Sequence, residues 1–110
     1  MALPVTLTDH NFRAEVIESD KPVLVFFWAE WNATCKAQAP SIRVLAEEDE
    51  ATLKVGKLDV DANPATAAMF GVPSVPVSML FAGGRALIRI VGYKRIEVLR
   101  AEIEAALVGV

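Results

Sequence analysis

The sequence predicts an α/β fold with a central mixed five-stranded sheet flanked by four helices. Three observations carry the prediction. Val23-Leu24-Val25-Phe26-Phe27-Trp28 is a continuous apolar run, the pattern of a strand buried on both faces. Strand-like and helix-like segments alternate in the order β-α-β-α-β-α-β-β-α, which calls for parallel strands joined by crossovers. Gly83-Gly84 between two apolar runs signals a tight hairpin, so one antiparallel pair closes an edge of the sheet.

Each element follows from local chemistry. Val5-Thr6-Leu7 reads as a short strand, and Thr8-Asp9 offers caps for a helix over Asn11 to Glu18 with Phe12, Val16 and Ile17 inward. Ser19-Asp20-Lys21-Pro22 is a polar turn into the apolar run. Asn32 is placed to cap a helix over Ala33 to Asp49, whose apolar stripe is Ile42, Leu45 and Ala46 and whose acidic end is Glu47 to Glu50. Pro40 falls inside it and removes one backbone hydrogen bond, which predicts a kink. Leu53 to Val60 reads as a strand, Asp61-Ala62-Asn63-Pro64 as a turn and helix start, and Ala65 to Phe70 as a short helix. After a loop with two prolines, Val77 to Phe81 and Leu87 to Val91 are the hairpin strands. A last helix over Arg95 to Val108 buries Val98, Leu99, Ile103 and Leu107.

Composition narrows the function classes. The chain has 110 residues, the length of one compact domain over 1–110, and neither repeats nor linkers divide it. A formal net charge of −3 without a Lys/Arg run argues against nucleic acid as a partner. No apolar stretch approaches the roughly 18–20 residues of a membrane span. Met1-Ala2-Leu3-Pro4 has no positive region followed by an apolar core, so no secretory leader is expected. The single cysteine, Cys35, cannot form an internal disulfide, and a cytoplasmic location is expected. Without a leader, the sequon Asn32-Ala33-Thr34 has no glycosylation to direct. No His/Cys/Asp/Glu cluster has metal-ligand spacing, so neither metal nor cofactor is expected. His10, beside the first helix start, reads as a surface residue.

The motifs resemble one family. Trp28-Ala29-Glu30-Trp31-x-x-x-Cys35-Lys36-x-x-x-Pro40 is similar to the active-site segment of thioredoxins, whose usual pattern is Trp-Cys-Gly-Pro-Cys-Lys. Lys57-Leu58-Asp59-Val60-Asp61-x-Asn63-Pro64 resembles the family's third strand and its exit. Gly71-Val72-x-x-Val75-Pro76 resembles the loop carrying its cis-proline, at Pro76. Phe81-x-x-Gly84 and Val91-Gly92 match its hairpin and groove glycine. Joint order and spacing extend the resemblance over essentially the whole chain, and imply a thioredoxin fold with the apolar strand in the middle of the sheet.

The departures are as plain as the matches. Where the family has Cys-Gly-Pro-Cys, this chain has Asn32-Ala33-Thr34-Cys35. The position of the attacking thiol is Asn32, a good helix cap but no nucleophile. Cys35 matches the resolving thiol. The family's buried carboxylate maps to Phe26, and Lys57, near that acid in the family, is left without it. Lys57 is expected to turn toward solvent, Asp59 or Asp61, with pairing to a Cys35 thiolate as the alternative. The resemblance also implies a peptide groove formed by Trp31, Ala33, Thr34, Val75, Pro76, Val91 and Gly92. Trp28 reads as core packing, whereas Trp31 flanks the site and offers an aromatic contact.

Two functions follow. In the first, dithiol–disulfide exchange is lost, Cys35 is a small buried hydrophobe, and the chain binds protein or peptide segments through the groove. In the second, Cys35 is a lone reactive thiol, a monothiol oxidoreductase or redox sensor that needs an external thiol such as glutathione, because one thiol cannot resolve its own adduct. Docking of a thioredoxin reductase stays open in both, as does a monomer or weak dimer. A single engineered change at Asn32 is set aside, because Ala33, Thr34 and Phe26 depart from the pattern too.

Overall fold

The structure is a computed structural model that describes residues 3–48 and 50–109. Met1, Ala2, Asp49 and Val110 lie outside the described residues, and the helix end expected at Asp49 falls on one of them. The elements are β1 (Val5–Leu7), a π-helical turn α1 (Arg13–Ile17), β2 (Val23–Trp28), α2 (Ala33–Glu48), β3 (Lys54–Asp59), α3 (Pro64–Met69), β4 (Val77–Ala82), β5 (Arg85–Val91) and α4 (Ile96–Val108). The sheet order is β1-β3-β2-β4-β5. β1, β3 and β2 run parallel, β4 is antiparallel to β2, and β5 to β4. This is the thioredoxin fold, with the apolar strand β2 in the middle.

β2 is buried on both faces because its alternate side chains enter two cores. Leu24 and Phe26 join a cluster with Cys35, Ile42 and Leu45 of α2 and with Leu99 and Ile103 of α4. Val23, Val25 and Phe27 join Phe12 and Val16 of the first helical turn together with Val77, Met79 and Phe81 of β4. Within that second core Phe70 and Phe81 stack edge to face at 5.2 Å, an arrangement that adds to simple area burial. Gly83 and Gly84 take φ of 59° and 78°, the left-handed values a two-residue hairpin turn demands.

Two local expectations change. The first helix is a π-turn closed by the Glu18 N–H on the Arg13 carbonyl at 2.9 Å, five residues back rather than four. Thr8 closes the turn that leads into it: its hydroxyl accepts the Asn11 N–H at 3.0 Å while Asn11 Oδ1 accepts the Thr8 N–H at 2.7 Å. Asp9 does not cap it. Its carboxylate instead reaches α3, accepting from the Thr66 N–H at 2.8 Å and the Thr66 hydroxyl at 2.7 Å. In α2 the helix continues through Pro40 to Glu48; the proline has no N–H to offer the carbonyl of Lys36. Among the described residues no helix is long and apolar enough to cross a membrane.

Candidate functional site

β2 ends at Trp28, and the turn Ala29-Glu30-Trp31 delivers the chain to the start of α2. Asn32 caps that helix, its Oδ1 accepting the Cys35 N–H at 2.9 Å. One of the amides a helix start leaves unpaired is therefore occupied by a side chain of the chain itself. The Asn32 amide also points across to the facing loop, with Nδ2 at 3.5 Å from the Val75 carbonyl oxygen. The Val75–Pro76 peptide is cis, and the Pro76 carbonyl accepts the Gly92 N–H at 2.9 Å. Asn32, Val75, Pro76 and Gly92 are thus linked in sequence across one end of the sheet, with Val91 ending β5 beside them.

Cys35 is 1% exposed and packs in the core cluster that contains Phe26, itself 3% exposed. Burial pushes the thiol's pKa up, against a smaller opposing effect of the Ala29 main-chain amide. An activated thiolate needs the reverse: exposure, a cation or a free helix N-terminus. Lys57 lies beside Phe26 in the β2–β3 register but is exposed, with its ammonium 5.8 Å from the centre of the Trp28 ring. The expected turn toward solvent holds, and the carboxylate partners do not. Asp59 Oδ1 accepts the N–H groups of Asp61 and Ala62 at 2.9 and 3.3 Å. Asp61 Oδ2 accepts the indole N–H of Trp31 at 2.8 Å. Lys57 takes the aromatic face that remains.

The surface around this centre is apolar and open. Trp31 is 71% exposed, its ring held by Asp61, and Val91 is 48% exposed. Ala33 and Thr34 are exposed at the helix start, Val75 and Gly92 are half-buried, and Pro76 is buried beneath them. Trp31, Val60, Ala67, Val72, Pro73 and Val75 border a depression of about 340 Å³ between the turn and α3. Trp28 is half-buried against the core, and His10 is exposed. Among the described residues no group of His, Cys, Asp and Glu side chains could hold a metal ion.

One residue escaped the sequence reading. Gln38 is fully buried, and its side-chain amide clasps the main chain of Lys94: Nε2 donates to the Lys94 carbonyl at 3.0 Å and Oε1 accepts the Lys94 N–H at 2.8 Å. It holds the segment that follows Gly92. Its signal was its place on the helix, since Cys35, Gln38, Ile42 and Leu45 are spaced three, four and three residues apart on the buried face.

A strand, a turn, a capped helix start and a facing cis-proline loop, on a sheet of this order, define a protein of the thioredoxin-fold class. The family model for thioredoxin matches residues 3–105, and the chain belongs to the thioredoxin family. It is similar to the thioredoxin of Alicyclobacillus acidocaldarius, at 44% identity over 90% of this chain and 93% of that protein. It is 47% identical to the thioredoxin of Mycolicibacterium smegmatis over 94% of each. The bifunctional thioredoxin reductase/thioredoxin of Mycobacterium leprae is 49% identical over 82% of this chain, which spans 20% of that longer protein. Within that family the chain carries a single cysteine.

Proposed function

We propose that this thioredoxin-family chain does not perform dithiol–disulfide exchange and instead binds extended protein segments across the surface of Trp31, Ala33, Thr34, Val75, Val91 and Gly92. One observation carries the reading. The position that exchange chemistry needs for an exposed thiol holds Asn32, engaged as a helix cap, and the remaining sulfur at Cys35 is 1% exposed. Resolution of a mixed disulfide also requires a second thiol, and the chain has one cysteine. What supports binding is Trp31, fixed by Asp61 yet exposed, because an aromatic side chain held in place before binding loses little freedom when a partner arrives. Burial and the raised pKa of Cys35 oppose the monothiol reading with glutathione. Docking of a thioredoxin reductase is compatible with this function.

Two measurements test the proposal together. In a protein-disulfide reduction assay with insulin, the chain is expected to match its Cys35→Ser variant; turnover that disappears in Cys35→Ser overturns the reading. In a binding assay against a library of extended peptides, saturable binding is expected to weaken about tenfold in Trp31→Ala, as truncation of an interface anchor does. Binding indifferent to both Trp31→Ala and Val91→Asp places recognition elsewhere and removes the groove from the function.

A further inference from the structure

The depression between the turn at Trp31 and α3 has accessible walls. Trp31 and Pro73 are exposed, and Val60, Ala67 and Val72 are half-buried. They border a space of about 340 Å³, at the lower end of the range for ligand sites, about 300–1,000 Å³. Two polar residues interrupt these apolar walls, the exposed Ser74 and the half-buried Asn32.

The two ends of the Asn32 carboxamide are used unequally. Its neighbours fix its orientation, with an N–H on one side and a carbonyl on the other. Oδ1 accepts the Cys35 N–H at 2.9 Å, whereas Nδ2 lies 3.5 Å from the Val75 carbonyl oxygen. The first is an ordinary hydrogen bond; the second is longer than the roughly 2.7–3.2 Å of an N–H···O contact. The amide carries two N–H groups, and among the described residues the Val75 carbonyl is the one acceptor they have. A donor with capacity to spare, set on an otherwise apolar wall, is the kind of group that fixes the orientation of a ligand.

We propose that Asn32 is the polar anchor of this surface: its Nδ2–H donates to a main-chain carbonyl of the bound segment, at the residue whose side chain enters the depression. The inference rests on the peptide-binding function proposed above and adds to it a residue and a class of segment. An extended main chain supplies what the site lacks, because every residue brings a carbonyl beside its side chain. The side chain that enters is large and apolar, since a charged one would be desolvated against Val60, Ala67 and Val72. The contact is neutral, so added salt leaves it largely unchanged.

The test uses the ¹⁵N-labelled full-length chain and extended peptides carrying Leu, Phe, Glu or Lys at one fixed position. The Leu and Phe peptides are expected to bind more tightly than the Glu and Lys peptides. The side-chain amide protons of Asn32, read directly in the ¹⁵N spectrum, are expected to shift along the same saturation curve as the main-chain amide of Trp31. Asn32→Asp keeps an oxygen for the Cys35 N–H and removes the donor, and Asn32→Ser keeps a good helix cap without the amide. Both are expected to bind about fivefold more weakly, the worth of one neutral hydrogen bond. Affinity unchanged in both variants, with Trp31→Ala still weakening binding, overturns the anchor and leaves the groove standing. Affinity indifferent to Trp31→Ala overturns the groove and the anchor with it. Equal binding of the Leu and Glu peptides overturns the class of segment. Shifts at Trp31 and Val72 that appear on concentrating the chain alone assign the depression to a second copy and overturn the proposal.

Discussion

At the scale of single residues, the altered site turns on where a proton and a sulfur can be stabilised. An acid at position 26 would be desolvated beside Leu24 and Ile42, and burial of an unpaired charge is expensive; Phe26 removes that problem and leaves Cys35 in hydrocarbon. The thiol is therefore easier to ionise in the unfolded chain than in the folded one. The raised folded pKa sets the sign of a pH effect. The contribution of Cys35 to stability is fully present below the unfolded thiol pKa of about 8.5 and is lost as pH rises through the higher folded value. Denaturant unfolding of the parent and of Cys35→Ala at pH 7 and pH 10 is expected to show the parent's advantage shrinking at the alkaline end. A constant advantage, with a folded-state sulfur that reacts quickly with a chromogenic disulfide, contradicts this environment. The motif spacing made Asn32, Cys35 and Phe26 legible before any coordinates. The Lys57–Trp28 contact was not, because two strands supply it and nothing local marks an ammonium that settles on a ring.

At the scale of elements, the groove is shaped by side chains that hold main chain. Gln38 on α2 fixes Lys94, and Arg89 on β5 donates to the carbonyls of Phe70 and Gly71, the latter at 2.9 Å, before the loop that reaches Val75. Both sides of the candidate surface are tethered to rigid elements. Gln38→Leu keeps bulk but leaves the Lys94 amide and carbonyl unpartnered at a buried contact, a loss of about 1–3 kcal/mol. Each kcal/mol corresponds to about 4–8 °C in a protein near this size, so thermal unfolding reads the effect directly. Exchange of the amide hydrogen of Lys94 is expected to accelerate more than that of the β2 amides; equal acceleration would mean that Gln38 supports only the core. Element type and order were legible because apolar periodicity is a local signal. The π-turn was not, since α and π windings present similar side-chain patterns over so few residues. Gln38 was hidden by its polarity: a glutamine in a helix reads as surface until both halves of its amide are seen to be used.

At the scale of the whole molecule, a hydrogen-bonded clasp ties the N-terminal segment to α3, an element remote from it in sequence. Asp9 sits between β1 and the first helical turn, yet its carboxylate holds the start of α3, 57 residues on, through the Thr66 hydroxyl and amide and the Ala65 amide. Asn63 returns the contact, its Oδ1 accepting the Asp9 N–H at 2.9 Å. The Thr66 hydroxyl is the main cause that draws the Asp9 pKa below the ordinary carboxylate value, with the Thr66 and Ala65 amides adding to it against partial desolvation. Folding therefore favours the ionised form. The stabilisation is present above the unfolded aspartate pKa of about 3.9 and disappears as pH falls through the lower folded value. Asp9→Ala removes the clasp at every pH, so its unfolding midpoint is expected below that of the parent at pH 7 and to approach it under strongly acid conditions. Salt distinguishes this hydrogen-bonded clasp from a simple charge effect: the difference at pH 7 should persist at high ionic strength, where long-range attraction is screened. If salt alone closes the gap, Asp9 acts through its charge, and the tie between β1 and α3 rests on the packing of Phe12 against Phe70 at 5.4 Å instead.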